Sequence, residues 1–195
     1  MKKKIGKKDS ELTRRDFIKT SAALGAASLA VGTNRMYAAG SDKIRIGLVG
    51  CGGRGSGAAS QALSAGEDVV LTAMGDVFED RLQRSLRNLK GSKKFGARVK
   101  VPRNACFIGL DAYQKVIDSG VDVVLLATPP GFRPQHLRAA VEAGKQVFCE
   151  KPMATDAPGV RSVLKSAAIA KEKNLALVAG FCWRYHLARR AFYER

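Results

Sequence analysis

An apolar run, Ile44 to Val49, breaks into Gly50-Cys51-Gly52-Gly53-Arg54-Gly55 and resumes as a small-residue segment with helical character. The bare string G-x-G-x-x-G arises often by chance, but between a strand and a helix, with an acidic residue closing the next strand, it is far more restrictive. Asp76 supplies that residue, 21 positions after Gly55. The pattern points to a dinucleotide. Gly50 permits the tight turn, Gly52 lets the backbone approach a pyrophosphate, and Gly55 lets the helix sit close against the strand. The helix start adds free N–H groups and a partial positive charge, so Gly53 and Arg54 join Gly50, Gly52 and Gly55 as expected cofactor contacts. Asp76 would accept hydrogen bonds from the ribose hydroxyls and repel a 2′-phosphate, which favours NAD over NADP. Arg81 keeps NADP as the less favoured option. The bland alternative is a Gly-rich turn with no ligand; four glycines in six residues carry an entropy cost that a plain turn need not bear.

Residues 1–40 read differently from the rest. Lys2, Lys3, Lys4, Lys7 and Lys8 precede Thr13-Arg14-Arg15-Asp16-Phe17-Ile18-Lys19, and an uncharged Ala/Leu/Gly/Ser/Val stretch follows. That order resembles a twin-arginine export signal, which carries proteins already folded around a cofactor. The apolar stretch is shorter than the roughly 20 residues of a spanning helix, so no stable membrane anchor is expected. The export machinery is the implied partner, and the destination is periplasmic or otherwise extracytoplasmic. Met36-Tyr37-Ala38-Ala39 marks a cleavage point only loosely.

A formal net charge of +17 raises the question of nucleic acid. Eight basic and three acidic side chains fall within residues 1–19 alone. Elsewhere one cluster stands out, Lys90, Lys93, Lys94, Arg98, Lys100 and Arg103, with only Phe95 as an aromatic among them. A nucleic-acid groove would interleave more stacking residues, so a solvated loop is expected and nucleic acid is not. Cys51, Cys106, Cys149 and Cys182 lack metal-ligand spacing and read as small buried residues; no metal is expected.

Beyond the first βα unit the pattern keeps alternating. Val69–Met74 reads as a strand, and Phe78, Leu82, Leu86 and Leu89 form one apolar helical stripe. A short strand over 105–108 precedes Asp111, an expected N-cap for a helix over 112–118 that turns Tyr113, Val116 and Ile117 inward. The β-branched run 121–127 suits a parallel strand covered on both faces. A helix over 134–143 would end at Gly144, followed by a strand over 146–149. The next helix, over 157–173, would present Val160, Val163, Leu164, Ala167 and Ala168 to one side, before a strand over 175–179. The fold class is α/β, a doubly wound parallel sheet of Rossmann type with order 3-2-1-4-5-6. The unusual residues then fall at carboxyl ends of strands, where open sheets hold ligands.

These residues resemble the Gfo/Idh/MocA oxidoreductases, the group of glucose-fructose oxidoreductase and inositol dehydrogenase. The resemblance runs from Lys43 to Tyr193. It rests on Gly50-x-Gly52-x-x-Gly55, Asp76, the Ala127-Thr128-Pro129-Pro130 turn with His136, Glu150-Lys151-Pro152, and Gly180-Phe181-x-x-Arg184. It implies that Glu150 contacts the nicotinamide ribose and that Lys151 reaches the substrate hydroxyl as the catalytic residue. Thr128, Pro129, Pro130, His136 and Arg184 would lie on the cofactor side, with a satisfied structural histidine as the alternative for His136. Burial and the positive nicotinamide ring would both favour a neutral Lys151, as proton transfer requires.

The resemblance also implies a second α/β domain that completes the site with a histidine, often paired with an aspartate. On this reading residues 41–180 form the dinucleotide-binding domain, 181–195 begin the truncated substrate domain, and the stretch is catalytically incomplete. The implied activity is NAD-dependent hydride transfer to or from a carbohydrate or polyol hydroxyl, in a homo-oligomer. An NAD-dependent glycoside hydrolase working by transient oxidation is the alternative, and a non-catalytic NAD-binding module is a third. Glu150-Lys151-Pro152 favours the first.

Overall fold

β-Branched and leucine-rich segments of three to eight residues alternate with amphipathic ones, and each pair forms a strand followed by a helix. The computed structural model describes residues 43–194, so the twin-arginine segment lies outside the described residues. The strands are β1 (Ile44–Val49), β2 (Val69–Asp76), β3 (Cys106–Ile108), β4 (Val123–Leu126), β5 (Gln146–Cys149) and β6 (Leu177–Ala179). The helices are α1 (Gly53–Ala65), α2 (Glu79–Lys90), α3 (Ala112–Asp118), α4 (Arg133–Glu142), α5 (Ala157–Glu172) and α6 (Leu187–Tyr193). All strand pairs are parallel, and the order is β3-β2-β1-β4-β5-β6, as the sequence implies.

Alternate residues of the central strands feed two cores, one on each face. Ile46 and Leu48 of β1, with Leu71, Met74 and Leu125, pack under Leu63 of α1 and Leu82, Leu86 and Leu89 of α2. Val49, Val124, Leu126 and Val147 pack on the opposite face against Val116, Ile117, Leu137, Val141 and Val163. The ladder runs to the carboxyl edge. There the Gly50 N–H donates to Gly75 O, Ala127 N–H to Val49 O, Glu150 N–H to Leu126 O, and Gly180 N–H to Cys149 O, at 2.8–2.9 Å. The loops that leave this edge are therefore fixed at their roots.

Several expectations change in detail. β4 begins at Val123 rather than Val121, because Asp122 turns its carboxylate to the backbone N–H and guanidinium of Arg45 at 2.8–3.1 Å. Asp111 precedes α3 but makes no capping bond; its carboxylate pairs with Lys115 at 2.8 Å. In α5 the buried stripe is Val163, Ser166 and Ala170, with Ser166 Oγ bonded to Ser162 O at 3.0 Å. Val160 and Leu164 are 47% and 64% exposed, so the helix is rotated away from the expected face. Asp156 caps it by accepting from the Gly159 N–H at 2.7 Å. Gly144 follows α4 with φ +73°, as its place after the helix requires. Of the four cysteines, Cys51 and Cys149 are buried, Cys106 is half-buried and Cys182 is exposed, and all are free thiols. Among the described residues no helix is long and apolar enough to cross a membrane, and no group of three or more metal-ligating side chains gathers.

Candidate functional site

The β1–α1 turn shows why glycines are needed there. Gly50 has φ +93°, and a Cβ on it would lie 2.8 Å from the backbone of Ala127 and Thr128 in the neighbouring strand exit. At Gly55 a Cβ would fall 1.8 Å from Gly50 O, so only glycine lets α1 start this close to the strand. Gly52 and Gly53 are different: a Cβ on either meets no protein atom within 4 Å. Their bare backbone faces open space in the cleft at the N-terminus of α1, where unpaired N–H groups and the helix dipole favour phosphate.

That turn forms part of a cleft of about 790 Å³, within the range of cofactor sites. The cleft crosses the carboxyl edge of the sheet and gathers Gly50, Gly52, Gly53, Arg54, Gly55 and Asp76 with Thr128, Pro129, Pro130, His136, Glu150 and Lys151. Arg184 stands apart from these. It lies in the turn after β6 with its guanidinium over the Phe181 ring at 5.4 Å, and it does not line the cleft.

Asp76 binds its own scaffold first. One carboxylate oxygen accepts from the Cys51 N–H at 2.6 Å and the other from the Phe78 N–H at 2.9 Å, which aims the group across the Gly-rich turn. A carboxylate has about four acceptor sites, so two remain for a ribose diol. Phe78, expected in the helix core, instead caps the start of α2 from the cleft side, with Arg81 over its ring at 5.0 Å. Exposed Val77, Phe78 and Leu110 give this end an apolar wall.

At the other end Glu150 is buried behind Arg54. Arg54 Nε donates to Glu150 Oε1 at 2.6 Å, with side-chain exposures of 50% and 6% respectively. The guanidinium also reaches Gln61 Oε1 at 3.0 Å along α1. Lys151 sits next to this pair, exposed at the rim of the cleft. The burial expected for its amine is not supplied by the described residues.

His136 is a buried structural partner of the β4 turn. Its Nδ1 lies 3.2 Å from Thr128 Oγ1, and its ring stacks on Tyr113 at 4.1 Å and 16° and against Phe132 at 6.0 Å. Burial, with the nearby Arg133 charge, pushes its pKa down to about 4, so the ring is neutral near pH 7. Tyr113 packs against the core as expected, and also lines the cleft. Burial likewise raises the Cys51 thiol and pushes Cys149 up to about 12, which keeps both protonated and unreactive.

Arg133 is the functional candidate that sequence reasoning missed. It opens α4, is 2% exposed, and lines the cleft. Nη1 donates to the carbonyl of Pro152 and Nη2 to the carbonyl of Thr128, tying together the loops after β5 and β4. A signal was present in the sequence: a lone cation between prolines at a helix start, where the dipole disfavours it.

The composition of this edge matches a known group of proteins. A family model for Gfo/Idh/MocA, described as an oxidoreductase family with an NAD-binding Rossmann fold, matches residues 44–181. The chain belongs to this family. A second model, the twin-arginine translocation pathway signal sequence, matches residues 11–31. Inositol 2-dehydrogenase 4 of Saccharopolyspora erythraea is 32% identical over 143 residues, which is 73% of this chain and 38% of that protein. The scyllo-inositol dehydrogenase of Lactobacillus casei, solved with NAD(H) and scyllo-inositol, superposes with a TM-score of 0.58 at 25% identity, over 74% of this chain and 38% of the other. A mutant of a 3-ketoreductase from Actinomadura kijaniata, solved with TDP-benzene and NADP, gives a TM-score of 0.58 at 26% identity, over 78% and 43%. The chain thus spans about two fifths of the length of these relatives.

The Gfo/Idh/MocA cleft fits its cofactor class on its own geometry. The bare backbone at Gly52, the helix N-terminus, the aimed Asp76 carboxylate and the apolar wall are each suited to one part of a nicotinamide dinucleotide.

Proposed function

We propose that the protein is an NAD-dependent oxidoreductase acting between a carbohydrate or polyol hydroxyl and a nicotinamide cofactor. The carrying observation is the meeting of the Gly-rich turn, Asp76, the Thr128 turn and Glu150-Lys151 in a single cleft on the carboxyl edge of the sheet. Gly50 to Gly55 would hold the diphosphate, Asp76 the adenosine ribose, and Glu150, oriented by Arg54, the nicotinamide ribose. When bound, the cofactor supplies the hydride acceptor. Lys151 Nζ, on the same rim, takes the hydroxyl proton in its neutral form or relays it to a further base. His136, with its pKa near 4, serves as a packing and hydrogen-bonding partner of Thr128 rather than as the base.

Asp76 carries the preference for NAD, because its charge repels a 2′-phosphate. The twin-arginine signal and a cofactor site within one folded domain support loading before export, with a periplasmic or extracytoplasmic destination. Calorimetric titration of the chain with NAD and NADP tests the cofactor side. NAD should bind more tightly, and Asp76→Ala should erase the difference. Equal affinities in the parent would remove the NAD preference, and no affinity for either would remove the reading. On the substrate side, net NADH formation with a polyol or sugar is the expected result; glycoside cleavage without net NADH would favour the hydrolase instead.

A further inference from the structure

Lys151 lies between two residues, and an arginine ties down each of them. Glu150 is held through its side chain by Arg54, and Pro152 through its carbonyl by Arg133. Arg133 has a second hold, on the carbonyl of Thr128, so its planar fork spans two neighbouring loops at the carboxyl edge. Those loops leave β4 and β5, which are paired to their last residues, and Arg133 extends the same connection beyond the ladder. The environment is unfavourable for a cation in other respects. It occupies the first position of α4, with no acidic residue in that turn, and its Nε is buried without a partner. Burial lowers its pKa, and the nearby Glu150 charge offsets part of that effect. A lysine could not replace it, because a point charge cannot serve two carbonyls in fixed directions.

From this geometry we infer that Arg133 is a positioning residue for Lys151: by bracing the Pro152 and Thr128 carbonyls it holds the lysine at the nicotinamide end of the cleft. The inference rests on the proposed role of the cleft as an NAD site, and it assigns Arg133 no contact with cofactor or substrate. Its effect is local to the end where Lys151 sits. The Gly-rich turn and Asp76 belong to other loops, and Arg133 makes no hydrogen bond to either.

The test compares NAD with ADP-ribose, which keeps the adenine, the diphosphate and both riboses and lacks only the nicotinamide ring. Affinities are measured for the parent, Arg133→Met and Arg133→Lys, together with the acylation rate of Lys151 by an amine-reactive ester, read by peptide mass spectrometry with and without NAD. In Arg133→Met, NAD affinity should fall about tenfold, because the loops that carry Lys151 and Thr128 lose their fixed spacing at the nicotinamide end. ADP-ribose affinity should stay within about twofold, and NAD should no longer protect Lys151 from acylation. Arg133→Lys should fall between parent and Arg133→Met. It also carries the comparison should the methionine variant not fold. Parallel loss of both affinities, or unchanged protection of Lys151, would overturn the inference while leaving the NAD site in place. A parent chain that bound ADP-ribose and NAD with no measurable affinity would overturn the functional reading itself, and the inference with it.

Discussion

His136, expected beside the cofactor or as a structural histidine, is a buried ring in the lining of the cleft. The ring is packed between Tyr113 and Phe132 and bonded to Thr128, and the folded protein lowers its pKa from 6.5 to about 4. A depressed histidine means that the unfolded chain takes up the proton first. Stability is therefore intact above pH 6.5 and falls as the pH drops through the window down to about 4. The melting temperature should decline across that window, and His136→Gln, which cannot titrate, should flatten the decline. Asp122 is held low by Arg45, so its loss of stability begins only below its ordinary value of 3.8 and does not mask the histidine. Arg133 is marked in sequence only by its place before Pro134 at a helix start, yet it makes hydrogen bonds that join two loops.

At the scale of elements, α1 separates packing from binding in adjacent glycines. Gly55→Ala places a methyl 1.8 Å from Gly50 O and forces the helix off β1, an overpacking that costs about 1–3 kcal/mol. Gly52→Ala meets no protein atom within 4 Å and should leave the unfolding free energy within about 0.5 kcal/mol of the parent, yet it should weaken NAD binding by obstructing the phosphate approach. Chemical denaturation and titration of the two variants check both halves. This unit was legible from sequence because each glycine answers to backbone geometry, which is local. The six-strand order was legible for a similar reason, since strands buried on both faces and right-handed crossovers leave few topologies. The turned face of α5, the outward Phe78 and the stacking of Tyr113 on His136 were not. Each is decided by what another element presents at the contact, and helical periodicity is silent on that.

Over the whole molecule, the formal charge of +17 includes an N-terminal basic stretch and a second segment in which Lys90, Lys93, Lys94, Lys100 and Arg103 are exposed. Arg14 and Arg15 fall within residues 11–31, matched by the twin-arginine signal model. Replacing both with lysine keeps the charge but removes the paired guanidinium groups. The variant should accumulate in the cytoplasm with its NAD affinity intact, as fractionation and titration would report. The folded part is suited to waiting there. The outermost strands of the sheet, Cys106–Ile108 and Leu177–Ala179, are three residues each. Neither rim offers a run of free amide groups long enough to recruit a strand from a neighbouring copy, so this sheet resists edge-to-edge pairing at high local concentration.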